Sequence, residues 1–219
     1  MAARERLVEE IGGGGGGGGV VEVCESDVGD EGGGAGVVEA AVGSFGRLDA
    51  LVNNAGYAPL KPIAELSREE YERSMAVNVY GPAEAIAAAW GVFERQHSAG
   101  EGGGRVVHVT TLGTADPFPG FAAYAAAKAG AGSLIRSVKN EGASIGVLGF
   151  AVAPGAVETA MLRGLFDESM VPTEMCLSPD EVGALVAACA AGERDAENGK
   201  TIYLTRGGDG RVEERVAEA

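Results

Sequence analysis

A chain of 219 residues, 46% of them apolar, is long enough to bury one sizeable core and too apolar for a disordered polymer, despite its 37 glycines. Its 32 acidic residues against 17 basic ones give a formal charge of −15, which repels nucleic acid and anionic membrane, and no basic patch offsets it. Three widely spaced cysteines, Cys24, Cys176 and Cys189, indicate neither a disulfide framework nor a metal site; with a charged N-terminus lacking an apolar signal region, the expected location is the cytoplasm.

In chain order, residues 4–11 are expected as a short helix and the glycine run 12–19 as a flexible linker. A phosphate cradle follows a strand and opens a helix, whereas this run follows a helical pattern and precedes the β-branched segment 20–24, expected as a strand. A turn-rich stretch leads to a helix over 35–45 closed by Gly46, then a strand over 48–52 that ends in the polar turn Asn53-Asn54-Ala55-Gly56. Ser67 with Glu70 forms a capping box for a helix to about residue 79; Gly81 and Pro82 interrupt or bend it, and an alanine-rich helix resumes over 83–93. A strand over 106–109, a helix over 122–139 and a strand over 145–152 follow. Ser178 and Pro179 open a last helix to about residue 190, and 201–204 is a final strand. This alternation, with several strands apolar and without a polar alternate, predicts an α/β fold with a mostly parallel sheet covered on both faces. Ligands of such sheets gather beyond the C-terminal strand ends, here at Asp27, residues 53–56, Thr110, Thr111 and residues 154–159.

Tyr124 and Lys128 lie four residues apart, on one face of the predicted helix. A phenol of pKa about 10 is a poor proton exchanger near neutrality, and a neighbouring ammonium favours its anion. Thr110 and Thr111 stand at a strand end, where a hydroxyl suits either a substrate oxygen or a local cap. Asn78 suits either a water or carbonyl held at a bend or the end of a helical turn; the turn 53–56 suits either a flat ligand or a purely structural reversal.

Taken together, Leu51-Val-Asn-Asn-Ala-Gly56, Asn78, Tyr124-x-x-x-Lys128, and Pro154-Gly155 with Thr159 resemble the short-chain dehydrogenase/reductase family over residues 48–208, and more weakly from Met1. The resemblance implies a Rossmann-like oxidoreductase that uses NAD or NADP to move hydride to or from a small carbonyl or alcohol substrate. It implies that Tyr124 exchanges the proton and that Thr111, in place of the usual serine, orients the substrate oxygen. Lys128 would lower the phenol pKa and hold the nicotinamide ribose, and Asn78 would position a water leading to solvent. Cofactor contacts are implied for Asp27 beside the adenine, for Asn53, Ala55, Gly56, Tyr124, Lys128, Pro154 and Gly155, and for Val157 and Thr159 at the carboxamide. No metal is implied. Helices over 83–89 and 122–131, rich in small residues, are expected to pair copies into a homo-oligomer, and residues 161–176, with Leu162, Leu165, Phe166, Met170, Val171 and Met175, to form an apolar lid.

One departure is large. The family's opening strand, T-G-x-x-x-G-x-G loop, helix and second strand have no counterpart, and the glycine run does not replace them. In the family's strand order 3-2-1-4-5-6-7 this removes the elements between the segments at 20–24 and 48–52. The expectation is therefore an incomplete three-layer sandwich: one N-terminally truncated domain over 1–208, a polar tail at 209–219, and impaired cofactor binding. The chain is either a shortened version of a longer protein or one in which 20–24 pairs directly with 48–52. Two function classes follow, an oxidoreductase with its proton-transfer half intact, or a catalytically silent binding or scaffold protein.

Overall fold

Four strands lie in parallel at the centre of the protein. They are β1 (Ala50–Asn53), β2 (Gly104–Val109), β3 (Val147–Pro154) and β4 (Lys200–Arg206), adjacent in that order. A fifth, β5 (Val212–Glu218), returns antiparallel on β4. The computed structural model describes residues 20–218, so the expected helix at 4–11 and the glycine linker at 12–19 lie outside the described residues. The helices are α1 (Gly33–Phe45), α2 (Arg68–Met75), α3 (Gly81–Ser98), α4 (Ala122–Gly142), α5 (Ala160–Leu165) and α6 (Pro179–Ala191). The result is the expected Rossmann-like α/β layering, with a mostly parallel sheet.

Alternate residues of β2 and β3 feed two cores, which β1 joins on one face and β4 on the other. On one face Leu51, Val106, Val147 and Ala151 pack with Val38 of α1, Ala85, Ala89 and Phe93 of α3, and Ile135 and Val138 of α4. On the other, Val107, Phe150, Val152, Ile202 and Leu204 pack with Val182, Leu185 and Cys189 of α6. Both faces of β2 and β3 are covered, so both read as mainly apolar runs, with Arg105 and His108 the polar residues of β2.

Local signals act where they were read. Ser67 Oγ accepts from Glu70 N at 3.2 Å while Glu70 Oε2 accepts from Ser67 N at 2.9 Å. Ser178 and Glu181 repeat the arrangement with Pro179 in the first turn of α6, and Gly46 closes α1 at φ 76°. No helix among the described residues is long and apolar enough to cross a membrane.

Three expectations are corrected. Residues 20–24 form no strand and do not pair with β1, which stands at the sheet edge with Val52 43% exposed. A β-branched composition supplies propensity, but a strand also needs a neighbour's N–H and C=O groups. Gly81 and Pro82, expected to interrupt or bend the helix, do not interrupt it: a π-helical turn, Ala76–Tyr80, joins α2 to α3, and Pro82 sits in the first turn of α3, where its missing N–H costs little. Gly81 is required there by close packing, since a Cβ would stand 2.1 Å from the Val28 carbonyl oxygen of the approaching chain. Finally, the polar segment after Gly208 does not trail away: β5 pairs along the whole of β4, from Arg206 with Val212 to Lys200 with Glu218. Arg194 bonds Glu214 and the Arg215 guanidinium lies 4.3 Å from the Tyr203 ring centroid, so charged residues on this strand find partners that composition alone does not show.

Candidate active site

The carboxyl ends of β1, β2 and β3 open toward the first turns of α4, and the chemistry-bearing residues gather there. β2 runs out into Thr110 and Thr111, whose side chains part company. Thr110 is buried, with its hydroxyl donating to Val152 O at 3.2 Å, which makes it a structural tie between β2 and β3. Thr111 is half-buried; its Oγ1 accepts from Gly113 N at 3.2 Å and lies against the Tyr124 phenol.

Helical spacing places Tyr124 and Lys128 on one face of α4, with Nζ 5.9 Å from the phenol ring centroid. Lys128 is 2% exposed and its Nζ donates to Val109 O at 2.7 Å. Burial holds the ammonium down to about 8. Burial also pushes the Tyr124 phenol up to about 12, with the Thr111 hydroxyl drawing it back toward its ordinary value. The expected lowering of the phenol by Lys128 is thus reversed. Dehydration penalises the phenolate, while the ammonium is turned to a backbone carbonyl.

Asn78 sits fully buried inside the π-helical turn. Its Nδ2 donates to Tyr57 O at 2.8 Å and to Ser74 O at 2.9 Å, and its Oδ1 accepts from Tyr57 N at 3.4 Å. Ser74 Oγ in turn donates to Ala123 O at 3.3 Å, tying α2 to the start of α4. The amide therefore clamps the chain leaving β1. A Cβ on Gly56 would come within 3.4 Å of Asn78 Oδ1 and 3.8 Å of Lys128 Nζ, so the polar turn, the amide and the ammonium converge on this glycine. Ala55 is exposed and Gly56 half-buried at the same turn.

Beyond β3, Pro154 pairs with Leu204 and Gly155 N donates to Leu204 O at 2.8 Å. Val157 forms a bridge with Leu177. Thr159 Oγ1 accepts from Leu162 N and donates to Val157 O, both at 3.2 Å, so its hydroxyl caps α5. Of the apolar residues expected in a lid over 161–176, Phe166 turns inward: its ring meets Phe118 edge-on at 5.4 Å and Phe121 at 5.9 Å, and Phe121 lies 5.6 Å from Tyr124. Met170 and Met175 are exposed.

Asp27 lies apart from this cluster. Its carboxylate is bound by Arg73 at 2.6 Å and by Gly29 N at 2.8 Å, and the guanidinium holds it below the usual carboxylate range. Sequence reasoning missed His108, which is 1% exposed in β2, in register between Asn53 and Ala151. Its signal was a lone histidine inside an apolar strand, three residues before Thr111. Among the described residues no group of three or more His, Cys, Asp or Glu is placed to hold a metal ion.

A family profile described as enoyl-(acyl carrier protein) reductase matches residues 2–208. The chain is 30% identical over 215 residues to 3β-hydroxysteroid dehydrogenase 1 of Eggerthella lenta, covering 94% of this chain and 78% of that protein. A short chain dehydrogenase from Mycobacterium avium superposes with a TM-score of 0.81 at 30% identity, covering 99% of this chain and 69% of that one. The 3-ketoacyl-(acyl-carrier-protein) reductase of Brucella melitensis, complexed with NADH, gives a TM-score of 0.74 at 27% identity, covering 86% of this chain and 76% of its own.

Proposed function

The chain belongs to the short-chain dehydrogenase/reductase family of NAD(P)-dependent oxidoreductases, and on that premise we propose that it interconverts a small carbonyl compound and its alcohol, with Tyr124 exchanging the proton. The observation that carries this reading is the convergence of Thr111, Tyr124, Lys128 and Asn78 at one end of the sheet. The nicotinamide, when bound, supplies or accepts the hydride. Tyr124, protonated across the physiological range, donates to the carbonyl oxygen, and the Thr111 hydroxyl orients that oxygen. Lys128 supplies the positive charge that the phenolate needs once its proton has left, and the anion in turn favours the charged ammonium. Asn78 acts by holding the turn at Tyr57 and Gly56 beside Lys128.

The residues present fit the nicotinamide end of the cofactor. Gly56 leaves space against Lys128 Nζ, whose remaining N–H groups suit ribose hydroxyls, and Asn53, Ala55, Pro154, Gly155, Val157 and Thr159 border the same strand ends. The pyrophosphate end is less well supplied. Among the described residues no strand passes into a helix through a turn carrying three glycines, and Asp27 is committed to Arg73. We therefore propose weak dinucleotide binding by this chain. Exposed small residues on α4, Ala126, Ala129 and Gly130, are the face on which copies would pair into a homo-oligomer, and the free thiols Cys24, Cys176 and Cys189 suit a reducing cytoplasm.

The edge of β1, unpaired among the described residues, favours a second reading, a silent binding protein. Calorimetry with NADH and NADPH, followed by carbonyl reduction assays on the wild-type chain and Tyr124→Phe, separates them. Reduction abolished in the variant supports the oxidoreductase. Turnover unaffected by the variant refutes Tyr124 as proton donor, and absence of both binding and turnover assigns the chain to the silent class.

A further inference from the structure

A buried histidine with no hydrogen-bond partner needs a physical account. Neither ring nitrogen of His108 has a partner among the described residues, and the same is true of Asn53 Nδ2. Buried polar atoms are almost always bonded to protein or to ordered water, because an unpaired one costs its full desolvation. Asn53 and His108 are register partners in adjacent parallel strands. Their side chains consequently share a face of the sheet, with Cα atoms roughly 4.8 Å apart. It is the face that α4 covers, and the Lys128 charge acts on the ring.

We propose that His108 is a positioning residue for Lys128: its neutral imidazole and the Asn53 amide hold between them one buried water, which gives the ammonium a polar neighbour besides the Val109 carbonyl. The donor count sets the direction of each bond. Asn53 Nδ2 and Lys128 Nζ both donate, so the water oxygen accepts from them and its own proton must go to an acceptor, the unprotonated ring nitrogen of His108. A protonated ring would turn that acceptor into a donor and place a second cation beside Lys128. The surroundings keep the ring neutral. Lys128 is the charged group acting on it, Asn53 and Ala151 flank it in the sheet, and Ala85, Ala89 and Ile135 pack on the same face. Burial and the Lys128 charge push the imidazole down to about 3. Through the water, His108 favours the charged form of Lys128 and keeps it available beside Tyr124.

The role of this bridge in turnover rests on the proposed reading of Lys128, but its existence does not, and the test is made on the full chain without cofactor. Imidazole nitrogen spectra of the wild type should show His108 with one protonated and one hydrogen-bonded bare nitrogen from pH 5 to pH 9. Lysine side-chain carbon spectra, with the Lys128 signal assigned by its loss in Lys128→Met, should show a midpoint that falls by about one pH unit in His108→Leu. The midpoint should be restored toward the wild-type value in His108→Asn, which keeps an acceptor. An unmoved Lys128 midpoint in His108→Leu overturns the proposal, as does a wild-type ring that titrates near its ordinary value. Should His108→Leu fail to fold, the wild-type imidazole spectrum and His108→Asn decide alone. A chain that passes these tests yet reduces no carbonyl refutes the catalytic reading and leaves the bridge standing.

Discussion

The two ends of the sheet's catalytic edge differ in completeness. Around β2 and α4, three polar side chains of the proposed proton path are held by neighbouring segments: Lys128 by β2, Asn78 by the turn after β1, Thr111 by the Leu112–Thr114 turn. Around β1, no strand among the described residues lies beside the outer backbone edge, and Asp27 is held by a surface arginine. A proton-transfer site is built from a few packed side chains, whereas a dinucleotide site needs oriented backbone at a strand–helix junction. The residues proposed for the first lie together among the described residues, whereas no strand–helix turn carrying three glycines is found among them for the second.

The largest effect expected is at the complete end. Tyr124→Phe should lower any carbonyl reduction by 10²- to 10⁴-fold, the usual worth of a positioned general acid, while leaving NADH affinity within about threefold of wild type, measured by calorimetry. Equal loss of binding and turnover would move Tyr124 from chemistry to cofactor docking.

Packing should show the same contrast. Phe93, fully buried and lying over Gly104 at the start of β2, should cost about 3–5 kcal/mol when cut to alanine, read by urea unfolding. Val52→Thr, on the exposed side of β1, should change stability by no more than about 0.5 kcal/mol. A large loss at Val52 would mean that its side is covered in solution.

Acid should act through His108. Its folded pKa, about 3, lies below the ordinary 6.5, so between those values the unfolded chain binds more protons. Stability is then full above about pH 6.5 and lost as pH falls toward 3, by on the order of 3–5 kcal/mol. His108→Asn should flatten that part of the curve; an unchanged acid limb would assign it to carboxylates. At the alkaline side Lys128 has the same sign, with stability rising from pH 8 to 10.5, and Tyr124 the opposite, with stability falling from pH 10 to 12.

The smallest effect is at the caps. Ser178→Ala removes one hydroxyl acceptor from the start of α6 and should cost about 1 kcal/mol by thermal unfolding. An effect above about 2 kcal/mol would show that this cap also anchors the Glu181–Arg206 pair and the end of β4.

What was legible in the amino-acid sequence was local. Ser67 with Glu70, Ser178 with Glu181 and the face shared by Tyr124 and Lys128 depend on residues three or four apart, and the helix geometry delivers them wherever the helix packs. The mostly parallel character of the sheet was legible too, because strands alternate with helices and several of the strands lack a polar alternate. Tertiary structure decided the rest. Residues 20–24 have strand composition and no strand to pair with, while residues 212–218 look like a tail and find the open edge of β4. Asn78 points inward because a π-helical turn is inserted ahead of Gly81. The phenol of Tyr124 moves up rather than down, and His108 is neutral, because desolvation depends on what other segments bring against a side chain. No spacing along one element records that.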